Sequence, residues 1–237
     1  MVDSYVGHSV VMTEPLFLEQ AESIVKDLNT YTIDELQKVL RVNRKIASQN
    51  YIRYHDFFIA DKAIPAMFAY TGTAYRELSA RTMPLETADY ANDHLLIGSF
   101  LYGLLRPSDG IHPYRLEGKV ALSVSGFYPL FDYWKPILTD RFIEEIKSDD
   151  GVLVNLASQE FTQLMDWKKV CRELTVITPE FKVDKGDGKL ETVIVYAKMC
   201  RGAMTRWILE NRISTVEELK AFEFQGFHQE NNFLFVN

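Results

Sequence analysis

Two cysteines, Cys171 and Cys200, are all that 237 residues contain. That is too few for a disulfide framework, and no zinc-ligand spacing accompanies them, so a reducing cytoplasmic setting is expected. No apolar run reaches the roughly 18 residues of a membrane span. Met1–Thr13 also lacks the basic start and apolar block of a secretory leader, so no membrane partner is expected. Histidines are few and scattered (His8, His55, His94, His112, His228), which leaves no metal site and no cofactor legible. The Walker A loop, G-x-G-x-x-G, H-E-x-x-H and G-x-S-x-G are all missing, and with them the commonest nucleotide, zinc-protease and serine-hydrolase chemistries. Positive charge is in deficit too: 26 Lys and Arg stand against 33 Asp and Glu, a net charge of −7. The overall field therefore repels polyanions, and any site for one must be a local concentration of cations.

What is present is an ordinary globular composition, 47% hydrophobic and 25% charged. The length allows one self-supporting core, and residues 1–237 are read as a single domain. The pattern is mixed α and β: a central mixed sheet surrounded by helices. Met1–Thr13 shows no periodicity. Thr13 is placed to cap a helix through Pro15 to Leu28, and Thr32–Glu35 has the form of a capping box opening a helix to Arg41. Asn43 caps a third helix. Ala63–Tyr70 reads as a short apolar strand, followed by helices over Thr73–Ala80 and Pro84–His94. Arg106–Glu117 is a stiff loop, Tyr128–Lys147 a helix interrupted at Pro136, and Val152–Ala157 a buried strand. Leu174–Val183 and Lys189–Tyr196 flank the hairpin signal Asp184–Gly188. A helix over Lys198–Asn211, a capped turn at Ser214–Glu218 and an edge strand at Phe233–Val236 complete the chain.

Chemistry concentrates in four places. On the helix starting at Lys198, residues step by about 100°. Cys200, Ala203, Met204, Trp207 and Ile208 gather on the core side, and Lys198, Arg201, Gly202, Thr205 and Arg206 on the other. Three cations around a glycine form an anion-site pattern, because glycine admits a ligand or another backbone. Lys198 and Arg201 would add to the positive end of the helix dipole. The alternative is a solvated basic face. The stiff loop holds Arg106 and Arg115, with Tyr102 and Tyr114 supplying flat surfaces; arginine suits bidentate grip on carboxylate or phosphate. Its alternative pairs Arg106 with Asp109 and Arg115 with Glu117. Asn155 interrupts an apolar strand and Ser158 follows at its end, where open sheets place ligands, though satisfaction of a loop is the commoner use of such an asparagine. Finally, Arg41, Asn43, Arg44 and Lys45 cluster at the turn between two helices, where free backbone N–H groups can hold a phosphate. The turn contains no glycine, and a plain antiparallel helix pair is the simpler alternative. Cys200 faces the core, which argues against a peroxide-reactive thiol.

Several segments together carry a resemblance: Tyr102-Gly-Leu-Leu-Arg-Pro107, His112-Pro-Tyr-Arg-Leu116, Tyr133-Trp134, Val154-Asn-Leu-Ala-Ser158, Tyr196-Ala-Lys198, Arg201-Gly202, Glu210-Asn-Arg212 and Gln225-Gly-Phe227. In this order, from about Leu16 onward, the chain resembles the YaaA peroxide-stress family. That resemblance implies a role in defence against hydrogen peroxide and in limiting unincorporated iron. It also implies a compact α/β fold with a basic cleft and a helix-hairpin-helix-like element associated with DNA. Lys198, Arg201 and Arg206 would line the cleft, with Arg106 and Arg115 nearby and Arg41–Lys45 as the hairpin element. The Ser-Pro-Ala-Lys motif that commonly opens family members does not occur in Met1–Thr13, so one cleft cation and one strand are not supplied there. Two functions compete. One is binding of double-stranded DNA or another polyanion. The other is an enzyme on a small phosphorylated or carboxylated substrate, with Tyr102, Tyr114 or Glu160 moving protons. Direct iron binding lacks a His and carboxylate cluster to support it.

Overall fold

The computed structural model describes residues 1–5, 10–59, 62–186 and 188–237. His8, named above, and Asp187 of the hairpin signal lie outside them. Mixed α and β is the observed class, but the strands are short and fall into four small sheets among the described residues rather than one central sheet. Helices α1 (Leu18–Leu28), α2 (Ile33–Val39) and α3 (Arg44–His55) come first, then β1 (Ile64–Pro65), α4 (Ala66–Ala69), α5 (Thr73–Leu78) and α6 (Leu85–His94). The hairpin β2 (Ile97–Ser99) and β3 (Gly103–Leu105) is followed by β4 (Gly110–Ile111), which pairs with β1. After α7 (Leu130–Lys147) come β5 (Val152–Val154), α8 (Gln159–Thr162), α9 (Trp167–Glu173) and β6 (Thr175–Ile177), with β5 and β6 parallel. A four-stranded sheet ordered β8 (Leu190–Glu191), β7 (Glu180–Asp184), β10 (Leu234–Val236), β9 (His228–Asn231) closes the chain around α10 (Ile194–Asn211).

Local chemistry explains most boundaries. Thr32 and Glu35 exchange the two bonds of a capping box, and Asn43 accepts from the Ile46 amide. Thr13 does not cap α1. Its hydroxyl donates to Asp109 at 2.7 Å instead, and the helix starts only at Leu18. The apolar run Ala63–Tyr70 is mostly a buried helical turn, since a short apolar run does not distinguish strand from helix. Val152–Val154 does pair as a strand but is only half-buried. The final strand is internal, held by β7 on one side and β9 on the other, because it is the most apolar piece of that sheet.

Two apolar clusters result. The larger spans Phe17 to Leu174 and centres on fully buried Trp134, whose indole N–H donates to the Phe100 carbonyl at 2.9 Å. Gly103, at φ +70°, lets that ring lie against the β2–β3 turn. The smaller gathers Phe181, Phe222, Phe227 and Phe235 over Ala197, Cys200 and Met204 of α10. Leu209 of the same helix belongs to the larger cluster. One helix thus joins both cores, and its two faces decide what its cations can do.

Candidate functional site

The core side of α10 is as the periodicity predicts: Cys200 and Met204 are buried, and Ala203, Trp207 and Ile208 pack beside them. Burial pushes the Cys200 thiol up to about 12, so it stays protonated at neutral pH. The other side is not a solvated face. Helix α5 lies against it, running in the same direction. A Cβ on Gly202 would sit 1.9 Å from the Ala74 carbonyl oxygen, so the approach that this glycine permits is that of another backbone. One turn on, the Arg206 guanidinium donates to the Leu78 carbonyl at 3.3 Å, the Ser79 carbonyl at 3.0 Å and the Thr82 hydroxyl at 2.9 Å. It also pairs with Glu210 at 2.7 Å. The last carbonyls of a helix have no partner within it; Arg206 supplies one for α5.

Helix α10 begins at Ile194, four residues ahead of the predicted start, because only Leu190–Glu191 of the run Lys189–Tyr196 is strand. Lys198 and Arg201 therefore sit past the first turn, and the dipole argument passes to Ile194–Tyr196. Neither cation has a carboxylate within ion-pair distance among the described residues. Lys198 is exposed. Arg201 is half-buried, and burial with no compensating partner lowers its pKa. Lys198 lies one turn before Gly202 on α10, and α5 is preceded by the segment Tyr70–Gly72. Thr71 and Gly72 are exposed there, and the space over Gly72 is open.

The remaining candidates do not join this cluster. Arg106 donates to the carbonyls of Asn92 (2.9 Å) and Asp93 (3.2 Å) at the end of α6 and pairs with Glu145, while its backbone N–H donates to Asp109. Arg115 is exposed and pairs with Glu117 at 2.6 Å. Asn155 bonds Thr178 and the Ala157 amide, satisfying its own loop, and Ser158 opens α8 without a side-chain cap bond. At the α2–α3 turn Arg44 pairs with Asp34, whereas Arg41 and Lys45 are exposed and without an ion pair among the described residues. Arg41 takes φ +51° just past α2, the left-handed position that glycine usually fills.

Tyr114 is no surface plate. It is buried, with its hydroxyl 2.7 Å from Ser99 Oγ and 3.0 Å from the Tyr70 hydroxyl, and burial raises the pKa of both phenols. Tyr75 stacks on Tyr70 at 4.9 Å. Tyr102 is fully buried and accepts from the His112 amide, which removes it as a proton carrier. Sequence reasoning misses Tyr70 and Ser99. The only local hint is the Thr-Gly-Thr break after Tyr70, because the two are linked only through Tyr114, which is 44 residues from Tyr70 and 15 from Ser99.

Comparison with known proteins agrees with the resemblance. The family model described as peroxide stress protein YaaA matches residues 3–233. A UPF0246 protein of Phocaeicola vulgatus is 50% identical over 218 residues, covering 92% of this chain and 85% of the relative. One from Bacteroides fragilis is 49% identical over 232 residues, 95% of this chain and 90% of its own. At greater distance, a UPF0246 protein of Clostridium beijerinckii is 35% identical over 223 residues, covering 93% and 85%. No helix among the described residues is long and apolar enough to cross a membrane. With a family match across nearly its whole length, the chain belongs to the YaaA family of peroxide stress proteins.

Proposed function

We propose that this chain serves peroxide defence by binding phosphate groups at Lys198 and Arg201, with double-stranded DNA or another polyanion as the ligand. One observation carries this. Every other arginine named above as a cleft candidate is engaged by carbonyls or carboxylates, but the half-buried Arg201 guanidinium has none among the described residues. A desolvated cation without a partner is unfavourable until an anion reaches it. Arg41 and Lys45 at the α2–α3 turn offer a second contact for an extended polyanion, as separate backbone phosphates would need.

The test is a salt titration of binding to a labelled duplex oligonucleotide. Each phosphate neutralised contributes roughly −0.9 to the log–log slope for B-form DNA. Lys198→Ala and Arg201→Ala should each make that slope shallower by about one such step, without changing sequence preference. Absence of binding at low ionic strength rules the DNA form out. The second reading, an enzyme on a small phosphorylated or carboxylated substrate, would use the same unpaired Arg201 guanidinium to grip a single anion. A saturable site for inorganic phosphate with no duplex affinity would select it.

A further inference from the structure

Helix α10 opens on apolar residues that the fold leaves exposed. Ile194 is 71% exposed, Val195 47% and Tyr196 44%, although the Tyr196 ring meets Phe227 at 6.2 Å. Leu190 of the preceding strand β8 is exposed as well. Successive helical residues point about 100° apart. Exposure of three in a row therefore means that the start of the helix stands out from the surface instead of lining a groove. Further along, Ala197 and Cys200 are buried and Gly202 is closed by Ala74, so the helix sinks into the fold after its first turn. Exposed apolar side chains grouped in this way mark contact surfaces. The same place carries positive charge. Steps of 100° put Ile194, Lys198 and Arg201 within an arc of about 60°. Helical side chains lean back toward the N-terminal end, so both cations lean toward Ile194. Lys198 is exposed and Arg201 half-buried, each without an ion pair among the described residues.

We propose that this tip docks on an anionic lipid bilayer. Ile194, Val195 and Leu190 enter the boundary between headgroups and acyl chains, Tyr196 lies at headgroup level, and Lys198 and Arg201 take lipid phosphates. This rests on the phosphate reading of those two cations and names the source of the phosphate. A duplex offers phosphates to the cations but no apolar surface to Ile194 and Val195. A peptide partner would need a groove, and a protruding tip is the opposite shape. A bilayer supplies a phosphate plane with apolar chains beneath it. The spacing agrees: Lys198 follows Ile194 by four residues, about 6 Å of helical rise, and interfacial apolar side chains reach about 5–10 Å deep. The net charge of −7 opposes adsorption to an anionic surface, so contact depends on these few residues.

The experiment is co-sedimentation of the full chain with vesicles of phosphatidylcholine alone or mixed equally with phosphatidylglycerol, beside binding of a duplex oligonucleotide in solution. Wild type should bind the mixed vesicles and not the neutral ones. The variant I194S/V195S changes exposed positions and should stay folded. It should lose roughly tenfold in affinity for mixed vesicles and keep its duplex affinity. K198A/R201A should lose both. Insertion is read directly with V195W, whose added emission should be quenched by vesicles carrying brominated acyl chains. No quenching overturns the proposal. If K198A/R201A lowers duplex binding while wild type ignores mixed vesicles, or I194S/V195S binds them as wild type does, the cation reading stands and the bilayer inference falls. If K198A/R201A matches wild type on both ligands, both fall. A wild-type dimer in light scattering that I194S/V195S dissolves would give the face to a second copy and overturn the proposal too.

Discussion

The two ends of one helical face meet different fates. Toward the C-terminal end of α10, Gly202 and Arg206 are committed to α5: the glycine by backbone contact with Ala74, the arginine by bonds to Leu78, Ser79 and Thr82. Toward the N-terminal end, Lys198 and Arg201 make no ion pair with a carboxylate among the described residues. Arg106 repeats the first pattern elsewhere, covering the Asn92 and Asp93 carbonyls at the end of α6. Arg206 and Arg106 are thus lids of helix C-termini, whereas Lys198 and Arg201 are open cations among the described residues. Helical spacing alone cannot separate the two, since Lys198, Arg201 and Arg206 share one arc.

The largest effect should come from Gly202→Ala. The methyl gains about 1 kcal/mol of helix propensity. It also collides with a backbone oxygen, which cannot rotate away as a side chain would, and overpacking of this kind costs about 3 kcal/mol or more. A net loss of at least about 2 kcal/mol in urea unfolding is expected. A variant as stable as wild type would mean that α5 and α10 do not meet at this point.

Arg206→Ala should follow, at about 2 kcal/mol, because it strands the carbonyls at the end of α5 and the Glu210 carboxylate. Arg201→Ala is the sharp contrast: within about 0.5 kcal/mol of wild type in the same assay, since no partner is left behind. Equal losses for the two arginines would erase the distinction between clamp and open cation. Binding should invert the order, with Arg206→Ala keeping the wild-type salt slope wherever the chain remains folded.

What the sequence disclosed follows the range of the physics involved. The capping box at Thr32, the Asn43 cap, the Asp184–Gly188 hairpin around β7 and β8, and the buried side of α10 all depend on neighbours within a few residues. Each was readable. The sheet division, the late start of α1 and the internal place of β10 depend on partners far along the chain, such as Asp109 for Thr13 and Glu180 for Leu234. Those were not. The site divides in the same way. Its basic arc was visible as a pattern, but which members are engaged is decided by α5, some 130 residues earlier in the chain. Arg106 and Arg115 suited an anion site by type and are closed by Glu145 and Glu117. Tyr114 looked like a surface ring and is a buried link whose partners, Ser99 and Tyr70, carry no local signature.

The two cysteines test the same two-sided helix by reactivity. Cys171 is exposed on α9, while Cys200 is buried with its thiol raised to about 12. At pH 8 iodoacetamide should label one thiol per folded chain and two in urea, with the native label mapping to Cys171. Labelling of Cys200 in the folded chain would place solvent on the side of α10 assigned to the smaller core.

The smallest expected effect concerns the second pair of open cations. Arg41 holds φ +51°, a conformation that disfavours a side chain, and it does so while closing α2 through its N–H to Lys38 and that of Val42 to Gln37. Arg41→Gly should therefore stabilise the chain by about 0.5–1 kcal/mol. If the turn touches a phosphate of a bound duplex, the same change should also flatten the salt slope by roughly 0.9. Stability and binding would then move in opposite directions at one residue, as expected where a cation occupies a glycine's position for the sake of a ligand. A gain in stability with an unchanged slope would confine polyanion contact to Lys198 and Arg201 and leave the α2–α3 turn a plain helix pair.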